Sequence, residues 1–285
     1  MRRILLPLHR LITAISMLGV LTSCSMATVA YNNAGSLIGY ALDNYVELTP
    51  PQETWLKDRV NHLIAWHRGS ELPLWQRWVN ETRERAAGNP EAGEIRAMFA
   101  RGQTLLERTT EKMLPDMAAL MRQLEPRQIA FLESKLAADY RKLAEEAAAP
   151  LPVRQSRRVE RLRERCESWF GRLTSEQAAY LQARVLSMAP LEEMRLTDRQ
   201  RWQREFMAVV KSAAEVSELQ AELRILILAP EQRRDPNYQA EVNRQRDEMI
   251  AVTAWMVRNA TPAQMARLQN KLSGYAEDIA SMLRT

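Results

Sequence analysis

The sequence predicts an all-α protein, an elongated antiparallel helical bundle, with a division into two helical subdomains left open. Its 285 residues are poor in glycine, with nine, and rich in alanine, leucine, glutamate, arginine and glutamine, which favour helix. Apolar residues recur at helical spacing along most of the chain, and short polar phrases that resemble helix starts precede several of these stripes. No alternating pattern of useful length indicates a strand.

Residues 1–23 have the pattern of a secretory signal, which we predict to be cleaved. The first ten residues contain three arginines and no acidic residue, which gives a positively charged N-terminal region. Residues 11–20 then form an apolar run that is too short for a membrane-spanning helix, which needs about 20 residues. The phrase Leu21-Thr22-Ser23-Cys24 then resembles the lipobox of bacterial lipoproteins. We therefore predict cleavage between Ser23 and Cys24 and acylation of Cys24. The alternative is an ordinary cleaved signal followed by a chance cysteine.

The predicted anchor also indicates a location. Acylation of Cys24 with more than one chain makes the membrane itself a partner, since stable attachment needs at least two chains. Ser25 stands where inner-membrane lipoproteins of enteric bacteria usually carry aspartate. By that resemblance we expect the outer membrane, with the protein facing the periplasm.

The charge of the mature chain argues against nucleic acid as a partner. Removing the three signal arginines leaves 37 basic residues against 35 acidic ones, a net charge of +2. A nucleic-acid binder needs a basic surface to neutralise phosphates. The arginine-rich stretch 154–165 is interleaved with glutamates, which is typical of a solvated helix with ion pairs between neighbouring turns.

We divide the mature chain into a lipidated tether over 24–35, an N-terminal helical region over 36–149 and a C-terminal helical region over 150–285. The best break is 148–153, which contains two prolines. Within the first region, 36–48 has helical spacing and lies close to the anchor. We expect this helix to dock on the protein's own core, the alternative being that it dips into lipid.

A recurring phrase marks four helix starts, each with a capping residue followed three positions later by glutamine. The four copies are Leu48-Thr49-Pro50-Pro51-Gln52, Leu124-Glu125-Pro126-Arg127-Gln128, Leu173-Thr174-Ser175-Glu176-Gln177 and Ala260-Thr261-Pro262-Ala263-Gln264. Each is a capping box, in which the glutamine side chain reaches back to the N–H of the cap. The copy with Glu125 is the weakest because it lacks the hydroxyl. A fifth match, 196–200, lies inside a stripe that looks continuously helical, so we do not expect a helix to start there.

Later elements follow from the same stripes. A long helix before residue 115 is expected to kink or end at Pro115. The stripe from Tyr238 to Met256 has near-heptad spacing, and the final stripe from Met265 to Ile279 is expected to pack against it as a hairpin.

The most unusual local composition lies between residues 62 and 78. It contains His62, Trp66, His67, Arg68, Glu71, Trp75 and Trp78. One interpretation is an aromatic-lined binding corner with His67 and Arg68 at its mouth, able to hold an acidic or aromatic ligand. The favoured interpretation is a helix–turn–helix corner packed by tryptophans, in which one helix ends near His67 and the next begins at Glu71-Leu72-Pro73.

The sequence carries no recognisable catalytic or metal-binding motif. His62 and His67 are five residues apart, whereas a zinc-binding pair on a helix is four apart, and no other histidine remains in the mature chain. We expect no metal, no cofactor and no catalytic residues. Cys166 lies among Leu162, Trp169 and Phe170 at helical spacing, which indicates a buried structural thiol.

Several short motifs resemble domain-of-unknown-function family 6279 of Gram-negative lipoproteins. They are Leu21-Thr22-Ser23-Cys24, Ala30-Tyr31-Asn32, Leu42-Asp43-Asn44-Tyr45, Gln52 with Trp55-Leu56, Trp66-His67, Glu71-Leu72-Pro73 and Arg201-Trp202-Gln203. The resemblance implies a helical lipoprotein without an assigned activity. A shallower likeness connects the Leu-Thr-x-x-Gln phrases with Spy-like periplasmic chaperones.

Together these observations favour a non-enzymatic binding or scaffold protein of the cell envelope. Two alternatives stay open. One is a periplasmic holdase chaperone of the Spy-like kind. The other is an envelope hydrolase that uses His67 or carboxylates.

Overall fold

The protein is helical throughout the residues that the computed structural model describes, 24–212 and 214–284. No strand occurs in these residues, and the predicted all-α class is confirmed. The α-helices are α1 (Cys24–Asn32), α2 (Ala34–Val46), α3 (Pro50–Trp66), α4 (Leu72–Ala87), α5 (Ala92–Arg122), α6 (Pro126–Ala147), α7 (Leu151–Phe170), α8 (Ser175–Ser187), α9 (Glu192–Lys211), α10 (Val216–Leu228), α11 (Pro236–Arg258) and α12 (Pro262–Arg284). A π-helix, His67–Glu71, joins α3 to α4, and a 3-10 helix, Pro230–Gln232, follows α10.

The predicted signal over 1–23 lies outside the described residues. Within them, no helix combines the length and the apolar character that a membrane crossing requires.

The four predicted capping boxes start α3, α6, α8 and α12. In each box the glutamine Oε1 accepts the backbone N–H of the capping residue, over 2.9 to 3.0 Å. The copy with Glu125 makes the same bond, because the bond to the N–H of the capping residue depends on the glutamine side chain and not on a hydroxyl of the cap. The fifth match, 196–200, lies inside α9, as expected.

The box glutamines pair with one another, which the local capping pattern did not indicate. Gln52 and Gln128 are buried, and each side-chain nitrogen donates to the oxygen of the other, over 3.2 and 2.8 Å. Each nitrogen also donates to a backbone carbonyl two residues before the partner's cap, at Gln123 and Glu47. The N-termini of α3 and α6 are thus joined by a closed set of hydrogen bonds.

The same arrangement occurs a second time, between α8 and α12. Gln177 and Gln264 are buried and exchange two hydrogen bonds of 2.8 Å. Their nitrogens also donate to the carbonyls of Asn259 and Arg172, again two residues before the partner's cap. The two glutamine pairs therefore have the same partners at the same sequence offsets.

The helices around the two pairs repeat as well. In the first set α2 packs on α3 and α6, and α3 packs on α5; in the second, α7 packs on α8 and α12, and α8 packs on α11. Buried apolar residues follow each glutamine by four and eight positions. They are Leu56 and Val60, Leu132 and Leu136, Leu181 and Val185, and Leu268 and Leu272. The chain thus contains a four-helix unit twice, α2–α3–α5–α6 and α7–α8–α11–α12.

Helices that follow each unit along the chain also pack on the other unit. Helix α4, which follows α3 of the first unit, packs on α12 of the second. Helix α9, which follows α8 of the second unit, packs on α6 of the first, and α10 packs on α5. These contacts cross the boundary that we placed between residues 149 and 150.

Helix α5 connects the two main clusters of buried apolar residues. Its C-terminal half places Leu114 and Ala118 in a core with α2, α3, α6, α9 and α10. Near its N-terminus Ile95 packs on Ile250 and Ala254 of α11. A second core, formed around Leu181, joins α8, α11, α12 and the end of α7.

Three expectations about the elements differ from the structure. Of the two outcomes expected at Pro115, a kink or an end of the helix, the end is wrong, since α5 continues to Arg122. Helix α12 packs mainly on α4 and α1 and has few direct contacts with α11, so the predicted hairpin packing is wrong. Residues 24–32, predicted as tether, form α1, and its Ala27 and Tyr31 are buried against Leu72 and Met282. Within the predicted break 148–153, the helices are interrupted at 148–150, between the end of α6 at Ala147 and the start of α7 at Leu151, and Pro152 lies inside α7.

Cys166 is half-buried beside the second core, with Leu162 and Trp169. Burial raises the pKa of its thiol to about 11. Because the thiolate is the nucleophilic form, this shift agrees with the predicted structural role.

Candidate functional site

The predicted corner between residues 62 and 78 is a π-helical segment within one continuous helical stretch. Helix α3 passes directly into the π-helix His67–Glu71 and then into α4, and the N–H of Leu72 donates to the carbonyl of His67, five residues back. The predicted turn is therefore wrong. Pro73 lacks an N–H and its ring crowds the preceding turn of an α-helix, and the wider π turn accommodates it without a break.

His67 connects this segment to α1. Its Nδ1 lies 3.0 Å from the hydroxyl of Tyr31, which also lies 3.3 Å from the carbonyl of Ile64. Burial lowers the pKa of His67 from its usual 6.5, against a weaker opposing effect of the Glu71 carboxylate. Burial likewise raises the pKa of Tyr31 to about 12. Near neutral pH both groups are therefore uncharged, and their contact is a neutral hydrogen bond.

The lowered pKa of His67 predicts a loss of stability at mildly acidic pH. The unfolded chain takes up the proton at a higher pH than the folded protein does. The stability that the protein gains from burying His67 in its neutral form is therefore fully present above pH 6.5, the usual pKa of histidine. It is lost as the pH falls from there through the lower pKa of the folded protein. The loss is at most about 1.4 kcal/mol per pH unit.

Urea unfolding of wild type and of His67→Gln, followed by circular dichroism from neutral pH downward, measures this effect. The difference in unfolding free energy between the two proteins should shrink as the pH falls. His62→Gln, at an exposed histidine, is the control and should follow the wild-type dependence. Parallel curves for wild type and His67→Gln would show that His67 is not buried as a neutral group.

Arg68 makes the second contact with α1. Its Nη2 donates to Oδ1 of Asn32 over 2.7 Å, and its guanidinium lies 5.5 Å from the ring centroid of Tyr31, close enough for a cation–π interaction. Tyr31, Asn32, His67 and Arg68 together form what we call the α1 clasp. The two polar residues predicted at the mouth of a corner therefore hold the first described helix in place.

Glu71 lies in the same π turn with no exposed surface. Both of its carboxylate oxygens accept hydrogen bonds from Arg108 of α5, at 2.8 and 2.9 Å. The Arg108 side chain remains half-exposed. A carboxylate does lie beside His67, as a hydrolase would require, but both its oxygens are bound to one guanidinium.

Two tryptophans of the segment, Trp66 and Trp78, contact α5. Trp75 and Trp78 pack edge to face at 5.4 Å, and Nε1 of Trp78 donates to the carbonyl of Met98 over 2.9 Å. Trp66 packs at an angle to His67, with the Lys112 ammonium 5.6 Å from its ring centroid. All three rings are partly buried, and Trp78 anchors α4 to α5.

Close packing of Trp78 against Gly102 predicts a specific cost of substitution. A Cβ at Gly102 would lie 2.9 Å from Cζ2 of the indole. Alanine favours helix by about 1 kcal/mol over glycine, but overpacking costs about 1 to 3 kcal/mol. We therefore expect Gly102→Ala to lower the unfolding free energy by about 1 kcal/mol net, measured by urea unfolding.

Gly93 in the same helix is the matched control, because nothing lies within 4 Å of its added Cβ. Gly93→Ala should leave the protein equally or more stable. Adding Trp78→Phe to Gly102→Ala should relieve the overlap. Equal effects of the two glycine substitutions would contradict the close packing.

His62 does not join the other candidate residues. It is exposed on α3, where Nδ1 lies 2.8 Å from the carbonyl of Asp58 and 3.4 Å from its carboxylate. In residues 24–212 and 214–284 there is no group of three or more histidine, cysteine, aspartate or glutamate side chains placed to hold a metal ion.

A groove of about 610 Å³ lies elsewhere, between α9 and α10. Its lining includes the apolar residues Ala208, Val209, Ala214, Leu219 and Ala221. Its charged residues are Glu205, Glu218, Glu222 and Arg233, and Arg233 pairs with Glu222 over 2.7 Å. No sequence motif indicates this groove, because most of its lining comes from two helices with ordinary amphipathic patterns.

The model of one protein family, described as a family of unknown function (DUF6279), matches residues 44–239, which is more than half of the chain. The chain belongs to the DUF6279 family. No curated protein and no solved structure matches it.

The DUF6279 match covers the π-helix and three of the four box glutamines, while α1 and Gln264 lie outside it. Half of the α1 clasp, Tyr31 and Asn32, is therefore contributed by residues before the matched region. Three residues of this site are not among those predicted from the sequence. Tyr31 and Asn32 lie in the segment predicted as tether, and Arg108 is separated from Glu71 by 37 positions along the chain.

Proposed function

We propose that this protein is a lipid-anchored, non-enzymatic binding or scaffold protein of the cell envelope, held in the outer membrane and facing the periplasm. The observation that carries the proposal is Leu21-Thr22-Ser23-Cys24, placed directly after a basic head and a short apolar run. Acylation of Cys24 with two or more chains supplies a stable membrane anchor.

The contacts of the π-helical segment support a binding role over catalysis. The polar residues most suited to chemistry are engaged within the protein, His67 with Tyr31, Arg68 with Asn32 and Glu71 with Arg108. A general acid or base must instead present its proton site to a substrate. On this proposal the segment positions α1 and through it the anchor.

Mass spectrometry of the mature N-terminus tests the anchor. We expect a peptide that begins at acylated Cys24, and protein that co-fractionates with outer membranes on a density gradient. Cys24→Ala should release the protein from membranes, whereas Cys166→Ala, which removes the other thiol, should not. An unmodified, full-length N-terminus in the cytosol would refute the proposal.

Crosslinking in intact envelopes, followed by purification of the protein, tests the binding role. A specific envelope protein or polymer should co-purify. Trp75→Ala should lose that partner, whereas Phe99→Ala, at an aromatic side chain outside the segment, should retain it. This pair of results would place the contact on the π-helical segment. Both variants need wild-type circular dichroism. Repeated recovery of no partner from envelopes would count against a binding role.

The groove between α9 and α10 favours a second candidate function, that of a holdase chaperone. Its open apolar lining is a surface that an unfolded chain could cover. Equimolar protein should then suppress aggregation of a denatured client. Ala221→Glu, within the groove, should weaken this effect, and Ala97→Glu, at an exposed alanine of α5, should not. No suppression by the wild-type protein would end this alternative.

A further inference from the structure

The outer face of α1 and α2 carries three exposed apolar side chains, and its first charged residue is Asp43, near the end of α2. Val29 is 60% exposed, Leu37 46% and Tyr40 72%, which makes Tyr40 and Val29 the most exposed large apolar residues in the described part of the chain. The three positions are eight and three residues apart, so they follow one side of the two nearly continuous helices. We call this surface the outer α1–α2 face.

The opposite side of the same helices is fully used within the protein. Ala27 and Tyr31 of α1 pack on Leu72 and Met282, and Ile38 and Tyr45 of α2 belong to the first core. The α1 clasp fixes α1 further. The exposure of Val29, Leu37 and Tyr40 therefore belongs to a docked pair of helices and not to a loose tether.

Charge and position indicate what covers this face. Residues 24–42 contain no acidic, basic or histidine side chain, and the first charge is Asp43. Helix α1 includes Cys24, the residue that we propose is acylated. A segment that begins at the proposed lipid anchor, has no charged residue before Asp43 and bears an exposed tyrosine has the character of a membrane-interface segment, since tyrosine is favoured at the level of the lipid headgroups.

The polar side chains on the outer face agree with that location. Asn33 and Asn44 donate their side-chain amides to carbonyls four residues back in their own helices, Val29 and Tyr40, over 2.8 and 2.7 Å. One donor of each amide is thereby satisfied internally, which lowers the cost of placing these residues in a less polar interface.

We propose that the outer α1–α2 face lies on the lipid bilayer, with Val29, Leu37 and Tyr40 inserted at the headgroup level. This inference rests on the proposed acylation of Cys24 and adds a second membrane contact to it. The acyl chains keep the protein at the membrane, while the helical face sets its orientation. The body of the protein then points into the aqueous compartment with a fixed side toward the membrane.

A fluorescent label at the face tests the inference in the acylated, full-length protein. The variants are Tyr40→Cys and Leu37→Cys, each with Cys166→Ser so that the new thiol is the one available for an environment-sensitive nitrobenzoxadiazole label. Phe99→Cys, at a 54% exposed aromatic residue on α5, is the control. The proteins are reconstituted in vesicles of phosphatidylethanolamine and phosphatidylglycerol, with or without nitroxide-bearing acyl chains.

We expect nitroxide lipids to quench the labels at positions 37 and 40 roughly twofold or more, and the label at position 99 hardly at all. Flotation of the same samples separates this inference from the anchor. If the protein floats with the vesicles and positions 37 and 40 are quenched no more than position 99, the outer α1–α2 face does not lie on lipid. The inference then fails while the proposed anchor stands. A blue-shifted but unquenched label would place a second protein copy there and also overturn it. Protein that does not float would overturn the anchor and the inference together.

Discussion

Gln128→Ala is expected to lower the unfolding free energy by about 3 kcal/mol, a large effect for one polar residue. Gln128 has no exposed surface. Its removal deprives the carbonyl of Glu47 of a donor and the N–H of Glu125 of an acceptor, and it takes two hydrogen bonds from Gln52. Each buried polar group left unsatisfied costs about 1 to 3 kcal/mol.

Urea unfolding of Gln128→Ala and Gln200→Ala measures this effect against a matched control. Gln200 occupies the glutamine position of the fifth box-like phrase, but it is exposed within α9. Its replacement should change stability by less than about 0.5 kcal/mol. Equal losses for both variants would show that the glutamine pair adds nothing beyond helix propensity.

The pairing itself is measured by a double-mutant cycle. Because Gln52 and Gln128 share two hydrogen bonds, the double substitution by alanine should cost less than the sum of the single ones, with a coupling of about 0.5 to 3 kcal/mol. Gln177→Ala should lose about as much as Gln52→Ala or Gln128→Ala, since the second pair has equivalent partners. Additive effects would contradict a direct contact.

Removing Arg108 is expected to produce the second large effect. Arg108→Met leaves the carboxylate of Glu71 without exposed surface and without its cation. Leaving a buried carboxylate without its cation strongly destabilises proteins, even where the arginine itself is half-exposed, and we expect the midpoint of thermal unfolding to fall by roughly 10 °C at neutral pH. Thermal unfolding monitored by circular dichroism measures it.

The double variant Glu71→Met with Arg108→Met separates pairing from burial. Because the double variant buries no charge, its thermal midpoint should recover most of the decrease caused by Arg108→Met alone. Arg85→Met provides the control, because Arg85 pairs with Glu94 over 2.7 Å on the exposed surface. That pair should contribute little, as surface ion pairs generally do. A midpoint for Arg108→Met close to that of Arg85→Met would mean that Glu71 finds another partner.

Helix starts were predictable from the sequence because their chemistry is local. A cap and the glutamine three residues later satisfy each other's backbone within one turn, so four boxes identified α3, α6, α8 and α12. The pairing of Gln52 with Gln128 joins residues 76 positions apart, and no local rule indicates it. Comparison of the four phrases could have suggested it, since the apolar residues four and eight positions after each glutamine repeat as leucine–valine, leucine–leucine, leucine–valine and leucine–leucine.

The candidate site was predicted less well, because Pro73 was interpreted as the beginning of a new helix. Proline usually interrupts an α-helix, and a π turn that accommodates it has no reliable sequence pattern. The partner of His67 was also hidden, since Tyr31 belongs to a segment assigned as tether. The sequence pattern also pairs α12 with α11, its neighbour along the chain, whereas the main contacts of α12 are with α4 and α1. Long-range contacts of this kind depend on the packing of the whole molecule.

The contacts of α4 with α12 have a consequence for the order in which the molecule can fold. Helix α4 is made early, yet the surface that covers it belongs to α12, the final helix of the described chain. Helix α1 also packs on α12. A polypeptide whose residues after Pro262 have not yet been delivered therefore exposes apolar sides of α1 and α4, and folding is complete only when α12 has docked.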